Sequence, residues 1–146
     1  MAVYTHVDEN TLATFLSQYN LGNATTFKGI AEGVENSNYF LETEKARLIL
    51  TLYEKRANPQ DLPYFLEMMQ HLASAKLPSP EPIKDSAGQA LQTLLGKPAC
   101  LISFLNGVSV DTPSADHCAA LGNVMARMHI ALNDFTLTRN NDLSLS

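Results

Sequence analysis

The first helical pattern in the chain lies close to the N-terminus. Apolar residues recur there at intervals of three and four, which predicts an amphipathic helix that Asp8 caps and Gly22 ends. The apolar positions of this helix are Leu12, Phe15, Leu16 and Tyr19.

Strand-like segments follow at residues 24–30, 38–43 and 46–54. The last of them alternates most clearly, because one face carries leucines and the other carries mixed side chains. The connections are short enough for hairpins, so neighbouring strands are expected to be antiparallel. The two faces of the third strand are Leu48, Leu50 and Leu52 on one side, and Ile49, Thr51 and Tyr53 on the other.

A second helix is expected to begin between Asn58 and Asp61, with Pro59 and Pro63 in its first turns, and to end near Lys76. Its apolar stripe is typical of a helix that packs on a core. The stripe consists of Leu62, Phe65, Leu66, Met69 and Leu72.

The prolines at 78, 80 and 82 require an extended backbone, because proline fixes φ and lacks an N–H. Strand-like runs at 83–85 and 90–95 flank a turn at 86–88, and another strand covers 98–105 before Asn106 and Gly107. Residues 114–133 predict a third helix, with Pro113 near its first position. The fold class is therefore α+β: about five antiparallel strands with one helix packed on a face.

Composition limits the function. The net charge of −5 argues against a nucleic-acid-binding protein, which needs a basic face. The N-terminus lacks the features of a signal peptide and no apolar run is long enough to span a membrane, so a soluble cytoplasmic protein is expected. Cys100 and Cys118 are predicted to be buried thiols, since no cysteine pair has metal-site spacing.

Residues 29–38 carry the main candidate chemistry. Gly29 and Gly33 are expected to allow a tight turn with positive φ, and Asn36 and Asn38 tolerate left-handed conformations. Such a loop between two strands can place N–H groups over phosphates, as the Gly-rich loop of kinases does. An ordinary β-hairpin explains the same pattern. The absence of a following Gly-Lys-Ser/Thr excludes a P-loop.

The segments Gly29-Ile-Ala-Glu-Gly-Val-Glu-Asn-Ser-Asn-Tyr-Phe-Leu, Leu50-Thr-Leu-Tyr-Glu-Lys and Gly96-Lys-Pro-Ala resemble homoserine kinases of the aminoglycoside-phosphotransferase type. The resemblance also covers Leu62-Pro-Tyr-Phe-Leu and Phe104-Leu-Asn-Gly. The helix Leu121-Gly-Asn-Val-Met-Ala-Arg-Met-His129 is similar to one that is widespread in the superfamily.

This resemblance implies a two-lobed, protein-kinase-like fold that transfers the γ-phosphate of ATP to the hydroxyl of L-homoserine. Residues 1–105 would form the N-terminal lobe, and residues 106–146 the hinge and the first helix of a C-terminal lobe. The implied ATP-binding residues are Gly29, Gly33, Asn36, Asn38, Lys55, Ser103 and Leu105. The last two would contribute backbone groups to adenine.

The chain lacks the superfamily's His-x-Asp-x-x-x-x-Asn loop and the later Asp, so the acceptor base and the Mg²⁺ ligands are expected outside it. It is therefore interpreted as an inactive fragment of an enzyme, without catalytic or metal-binding residues. Thr51 occupies the position where kinases carry a strand lysine. Lys55 shares its strand face and either contacts phosphate or is simply solvated, and Glu67 either pairs with it or faces water.

Two alternatives remain: a kinase of the same superfamily for another small alcohol or sugar, and a nucleotide- or partner-binding module without catalysis. His129 is interpreted as structural, because nothing nearby supplies a nucleophile or a metal partner. The third helix would expose Leu121, Met125 and Met128 in this chain, which predicts homo-oligomers.

Overall fold

A computed structural model describes residues 3–32, 35–54 and 58–140 of the chain. Helix α1 covers Glu9–Leu16, and Asp8 caps it by accepting a hydrogen bond from the Thr11 amide at 2.7 Å. The helix ends earlier than the sequence predicts. Gly22 does adopt positive φ (76°), but it does so in the turn that leads into the sheet.

Within the described residues the sheet has six antiparallel strands, where the sequence predicted about five. They are β1 (Ala24–Gly29), β2 (Asn36–Thr43), β3 (Arg47–Tyr53), β4 (Pro82–Ile83), β5 (Leu91–Leu94) and β6 (Lys97–Ser103). Their order is β1-β2-β3-β6-β4, and β5 pairs with β6 as well.

A tight turn connects β5 to β6. Leu95 and Gly96 both have positive φ, at 52° and 73°. Two successive left-handed residues match the twist of a two-residue hairpin, which explains the glycine. The strand β6 ends at Ser103, two residues earlier than predicted.

The main core lies between α1 and one face of the sheet, which we call the core face. Its residues on β2, β3 and β6 are almost completely buried together with Leu12, Phe15 and Leu16 of α1. The first helix is therefore also packed on the sheet, whereas the sequence predicted one packed helix. The core face consists of Ser37, Tyr39, Leu41, Leu48, Leu50, Leu52, Ala99 and Leu101.

A 3-10 turn at Pro59–Asp61 leads into helix α2, which covers Leu62–Ser74 and contacts β4 and β5. Leu62, Leu66 and Leu72 are buried as predicted. Phe65 is 36% exposed, so the apolar stripe is not entirely core.

Helix α3 covers Ala115–Ala131, and a 3-10 turn follows at Leu132–Asp134. Ser114 is its N-cap and forms a capping box with His117, so Pro113 lies before the cap rather than inside the helix. No residue of α3 is buried, and Cys118 is consequently exposed, in contrast to the prediction; Cys100 is buried as expected. Among the described helices none is long and apolar enough to cross a membrane.

Candidate functional site

The side of the sheet opposite the core face is only partly covered, and we call it the half-open face. Its side chains form rows across the strands, because the antiparallel register places Phe40 opposite Ile49, and Ile49 opposite Ile102. Two residues further along each strand, a second row contains Asn38, Thr51 and Cys100. The two rows lie about 7 Å apart, since strands rise about 3.3 Å per residue.

The polarity of this face changes along the strands. Phe40, Ile49 and Ile102 form an apolar row, and each is half-buried. The following row combines the Asn38 amide and the Thr51 hydroxyl, and the next one places Asn36 opposite Tyr53. Such a surface suits a ligand with a flat apolar end and a polar end.

The apolar row of the half-open face is extended by the segment after β6. The Phe104 ring packs edge to face on Phe40, with centroids 5.3 Å apart, and the Arg47 guanidinium lies 5.6 Å from the Phe104 centroid. Arg47 also donates a hydrogen bond to the Asn106 side chain at 2.9 Å. These contacts hold the beginning of the predicted hinge against the sheet.

The structure places Ser103 at the last position of β6. Its amide donates to the Glu81 carbonyl at 2.9 Å, and its hydroxyl accepts from the Glu81 amide at 2.8 Å. The amide and side chain of Ser103 are thus occupied by Glu81, the residue before β4. Leu105 lies beyond the strand end and is 46% exposed.

Gly29 lies within the strand that the sequence predicted over residues 24–30, but it does not have the positive φ that was expected of it. It is the last residue of β1, opposite Tyr39, and it is not among the glycines with positive φ. A Cβ at this position would lie 2.8 Å from Val3 Cγ2. A larger residue here would require the Val3 side chain to shift, so the close approach of the N-terminal segment, and not a backbone turn, favours glycine at this position. Gly33 lies outside the described residues.

The strand β2 begins at Asn36, two residues earlier than predicted, so Asn36 is a strand residue rather than a turn residue, and Asn38 lies in the strand as expected from the segment 38–43. Asn36 Oδ1 lies 3.5 Å from the Glu54 amide, which donates to it. Asn38 Oδ1 accepts a hydrogen bond from the Thr51 hydroxyl at 2.9 Å. Lys55 lies outside the described residues, and Glu67 is exposed on α2.

We call the second row, which contains Asn38, Thr51 and Cys100, the polar row, and the titratable groups in and beside it are neutral. The Tyr53 hydroxyl lies 3.5 Å from Cys100 Sγ. Burial, together with the nearby Cys100, raises the pKa of Tyr53, and burial raises the pKa of the Cys100 thiol. Both groups therefore stay protonated at neutral pH, and Cys100 is not a reactive thiolate.

A polar network on the core face was not predicted from the sequence. Glu54 receives hydrogen bonds from Ser37 (2.6 Å) and Thr5 (2.7 Å), and it forms an ion pair with Lys97. Ser37 also accepts from the amides of Tyr4 and Thr5. This network joins the N-terminal segment to the ends of β2, β3 and β6.

Burial alone would raise the pKa of Glu54, but the hydrogen bonds from Lys97, Ser37 and Thr5 outweigh it and lower the pKa. Glu54 is therefore ionised. The network lies beside the Gly-rich segment, on the opposite side of the sheet from Asn38.

A second unpredicted cluster joins α2 to the residues after α3. His71 Nε2 lies 2.6 Å from the Ala131 carbonyl and 3.1 Å from the Asp134 carboxylate. Both neighbours are acceptors, so this nitrogen carries the proton. The Phe135 ring packs on His71, at 5.3 Å between centroids.

Further along, Arg139 donates to Asp61 at 2.9 Å and stacks over Phe65 at 5.4 Å. Residues 134–139 thus run along α2, and we call them the strap. Neither the His71 spacing nor the Arg139 position gave a signal in the sequence, because their partners lie about 60 to 80 residues away in the chain.

The described residues do not form a metal site. No group of three or more His, Cys, Asp or Glu side chains comes together in residues 3–32, 35–54 and 58–140. The donors that Mg²⁺ prefers, carboxylate and carbonyl oxygens, are not gathered on the half-open face, and no ligand set is assigned there.

Comparison with known proteins identifies the class of protein. Residues 26–146 match the model of the phosphotransferase enzyme family, and the chain belongs to this family. The fold agrees: a microcompartment-associated aminopropanol kinase superposes with a TM-score of 0.65 over 95% of this chain and 44% of its own, at 18% identity. A spectinomycin phosphotransferase, solved in complex with ADP and spectinomycin, superposes with a TM-score of 0.66 over 87% of this chain and 39% of its own, at 15% identity.

More similar relatives are homoserine kinases. The chain is 55% identical over all 146 residues to a homoserine kinase of Methylobacterium radiotolerans, of which it covers 46%. It is 56% identical over the same length to that of Hyphomonas neptunium, of which it covers 44%. The resemblance found in the sequence is therefore confirmed, and the chain spans less than half the length of these relatives.

Proposed function

We propose that this chain is the nucleotide-binding part of a homoserine kinase, which transfers the γ-phosphate of ATP to the hydroxyl of L-homoserine, a step towards threonine, in the cytoplasm. The observation that carries the proposal is 55% identity to a homoserine kinase along the entire chain. Sequence identity at this level over a continuous lobe supports a shared substrate as well as a shared fold.

The half-open face supports the nucleotide half of the proposal. Adenine would lie on the apolar row of Phe40, Ile49 and Ile102, next to the segment after β6. Because Ser103 already uses its amide, its carbonyl is the group that would accept from the adenine amine, and the Leu105 amide would donate. The phosphates would then extend towards Asn38, Asn36 and the loop that contains Gly33.

The remaining chemistry would be supplied elsewhere. We propose that residues 1–105 form the N-terminal lobe and that residues 106–146 form the hinge and the beginning of the second lobe. The acceptor site, the base and the Mg²⁺ ligands would belong to the half of the relatives that this chain does not cover. Mg²⁺ would neutralise charge on the transferred phosphoryl group when bound.

A second candidate is a kinase for another small amino alcohol. It is suggested by the aminopropanol kinase that shares the fold of this chain. The acceptor would separate the two candidates, since the nucleotide-binding face would be the same in both.

The test is a coupled assay of ATP consumption on the product of the complete open reading frame. The acceptors are homoserine, aminopropanol, choline, methylthioribose and an aminoglycoside, and heat-treated protein is the control. Turnover with homoserine alone supports the first candidate. Turnover with aminopropanol alone supports the second. Binding of ADP without turnover on any acceptor indicates a non-catalytic binding module and overturns the proposal.

A further inference from the structure

The polar row of the half-open face lacks the cation that kinase-like folds place on the third strand. Thr51 stands at that position and is 8% exposed. Neither its row nor the row of Asn36 and Tyr53 contains a lysine or arginine, as far as the described strands extend. A neutral arrangement therefore occupies the place of a charged one.

The hydrogen bond between Thr51 and Asn38 has a direction. The Thr51 hydroxyl donates to Asn38 Oδ1 at 2.9 Å, so the oxygen of the amide is occupied and its nitrogen points away from Thr51. In the described part of the chain the Asn38 nitrogen has no hydrogen-bond partner. Among the described residues, the side-chain polar atom that is both buried and unpaired is Tyr19 Oη. The Asn38 nitrogen is unpaired but not buried, so it is accessible to a ligand.

Thr51 itself is held in place. It lies in the middle of the sheet, between β2 and β6, opposite Asn38 on one side and Cys100 on the other. Branching at Cβ restricts χ1 of threonine, so the position of its hydroxyl oxygen relative to the strand backbone is well defined. The amide that it orients is consequently preorganised before any ligand arrives.

We infer that Thr51 is a positioning residue, which fixes the Asn38 amide so that its N–H groups donate to a phosphate oxygen of the nucleotide. The inference rests on the proposed function and adds the residue that orients the phosphate contact. The polar row lies three residues along the strands from the level of Ser103, which is about 10 Å. An extended nucleotide that holds adenine beside Ser103 places its first phosphates at such a distance.

The experiment compares ADP with adenosine, because only ADP carries phosphate. Binding of each is measured by calorimetry on the product of the complete open reading frame, for the wild type, T51V, T51S, N38A and the double variant T51V/N38A. Valine has the shape of threonine without the hydroxyl, whereas serine keeps the donor. T26V is the matched control, since Thr26 makes another cross-strand hydrogen bond, to Glu42 at 3.3 Å, on the edge of the same sheet.

We expect N38A to weaken ADP binding by roughly tenfold or more, as for a lost hydrogen bond to a charged group. T51V should weaken it by about five- to tenfold, and T51S and T26V by less than about twofold. Adenosine binding should be unchanged in all variants. The double variant should be no weaker than N38A alone, because Thr51 acts through Asn38.

The inference would be overturned if T51V lost affinity for ADP and adenosine equally. It would also be overturned if the losses of ADP affinity in T51V and N38A added up in the double variant. Wild-type affinity of T51V for ADP would do the same. If T51V does not fold, as judged by its melting temperature, the ADP-to-adenosine ratio of N38D decides: a new carboxylate should abolish ADP binding alone. Wild-type protein that binds neither compound contradicts the proposed function itself, which is a distinguishable result.

Discussion

The two faces of the same three strands differ in how completely they are buried. On the core face, Leu41, Leu50 and Leu52 are 0% exposed beneath α1 and the N-terminal segment. On the half-open face, Phe40, Ile49 and Ile102 alternate with them along the chain and remain half-buried. The comparison teaches that one face is used for stability and that the apolar side chains on the other face are available for a ligand.

The largest expected effect is a cavity on the core face. Leu50→Ala should reduce the free energy of unfolding by about 2–5 kcal/mol, because the surrounding leucines cannot close the space. The matched variant on the half-open face, Ile49→Ala, should cost less, about 1–2 kcal/mol, because its side chain is partly solvated. Urea denaturation of both variants measures the difference. Equal losses would remove the distinction between the two faces.

The next largest effect on stability is expected in the Glu54 network. Lys97→Met should destabilise the protein by about 1–3 kcal/mol, because it leaves a carboxylate that is 11% exposed without its cation. Since folding lowers the pKa of Glu54, its contribution is present above the ordinary glutamate pKa and is lost as the pH falls through the folded-state value.

Urea denaturation at neutral and at acidic pH checks this. The difference in the free energy of unfolding between K97M and the wild type should decrease towards acidic pH. A difference in the free energy of unfolding that is independent of pH would contradict the assigned ionisation. K45M is the control, because the Lys45 side chain is exposed and its described hydrogen bonds go to Asn20.

The strap should have a smaller effect, because it packs on a helix surface and not in the core. Arg139→Ala should cost about 1 kcal/mol through the loss of the Asp61 pair and of the packing on Phe65. A double-mutant cycle with Asp61→Asn measures the coupling. A coupling energy near zero would mean that the ion pair does not hold the strap on α2.

The smallest effect on stability is expected on α3. Leu121 is 60% exposed and Met125 is 45% exposed, so Leu121→Glu should change the free energy of unfolding by less than about 0.5 kcal/mol. The same variant should reduce self-association of the 146-residue chain, as measured by light scattering across a concentration series. A wild-type chain that is strictly monomeric at high concentration contradicts the prediction of homo-oligomers.

The sequence predicted the order of the elements well, because local periodicity decides it. Leu48, Leu50 and Leu52 alternate with Ile49 and Thr51, which is sufficient to locate β3 and its two faces. The predicted cap at Asp8 is confirmed, since capping depends on neighbouring residues. The resemblance to homoserine kinases was also available from the residues alone.

The site was predicted less well, because side-chain partners depend on register and on distant segments. Gly29 was expected to adopt positive φ, although it is an ordinary strand residue with Val3 packed against it, and Asn36 was assigned to the loop, although it begins β2. His71 had no partner in the sequence, yet it bonds to Ala131. The ATP-binding roles of Gly33 and Lys55 stay predictions, since both lie outside the described residues.

The sequence by itself determined which segments form strands and helices and which family the chain belongs to. Only the tertiary structure decided which face of the sheet α1 covers, because both faces of β3 are apolar enough to be buried. It also paired Thr51 with Asn38, which lie 13 residues apart in the chain and meet only through the antiparallel register. A hydrogen bond of this kind depends on distance in space, and a linear pattern does not contain that distance.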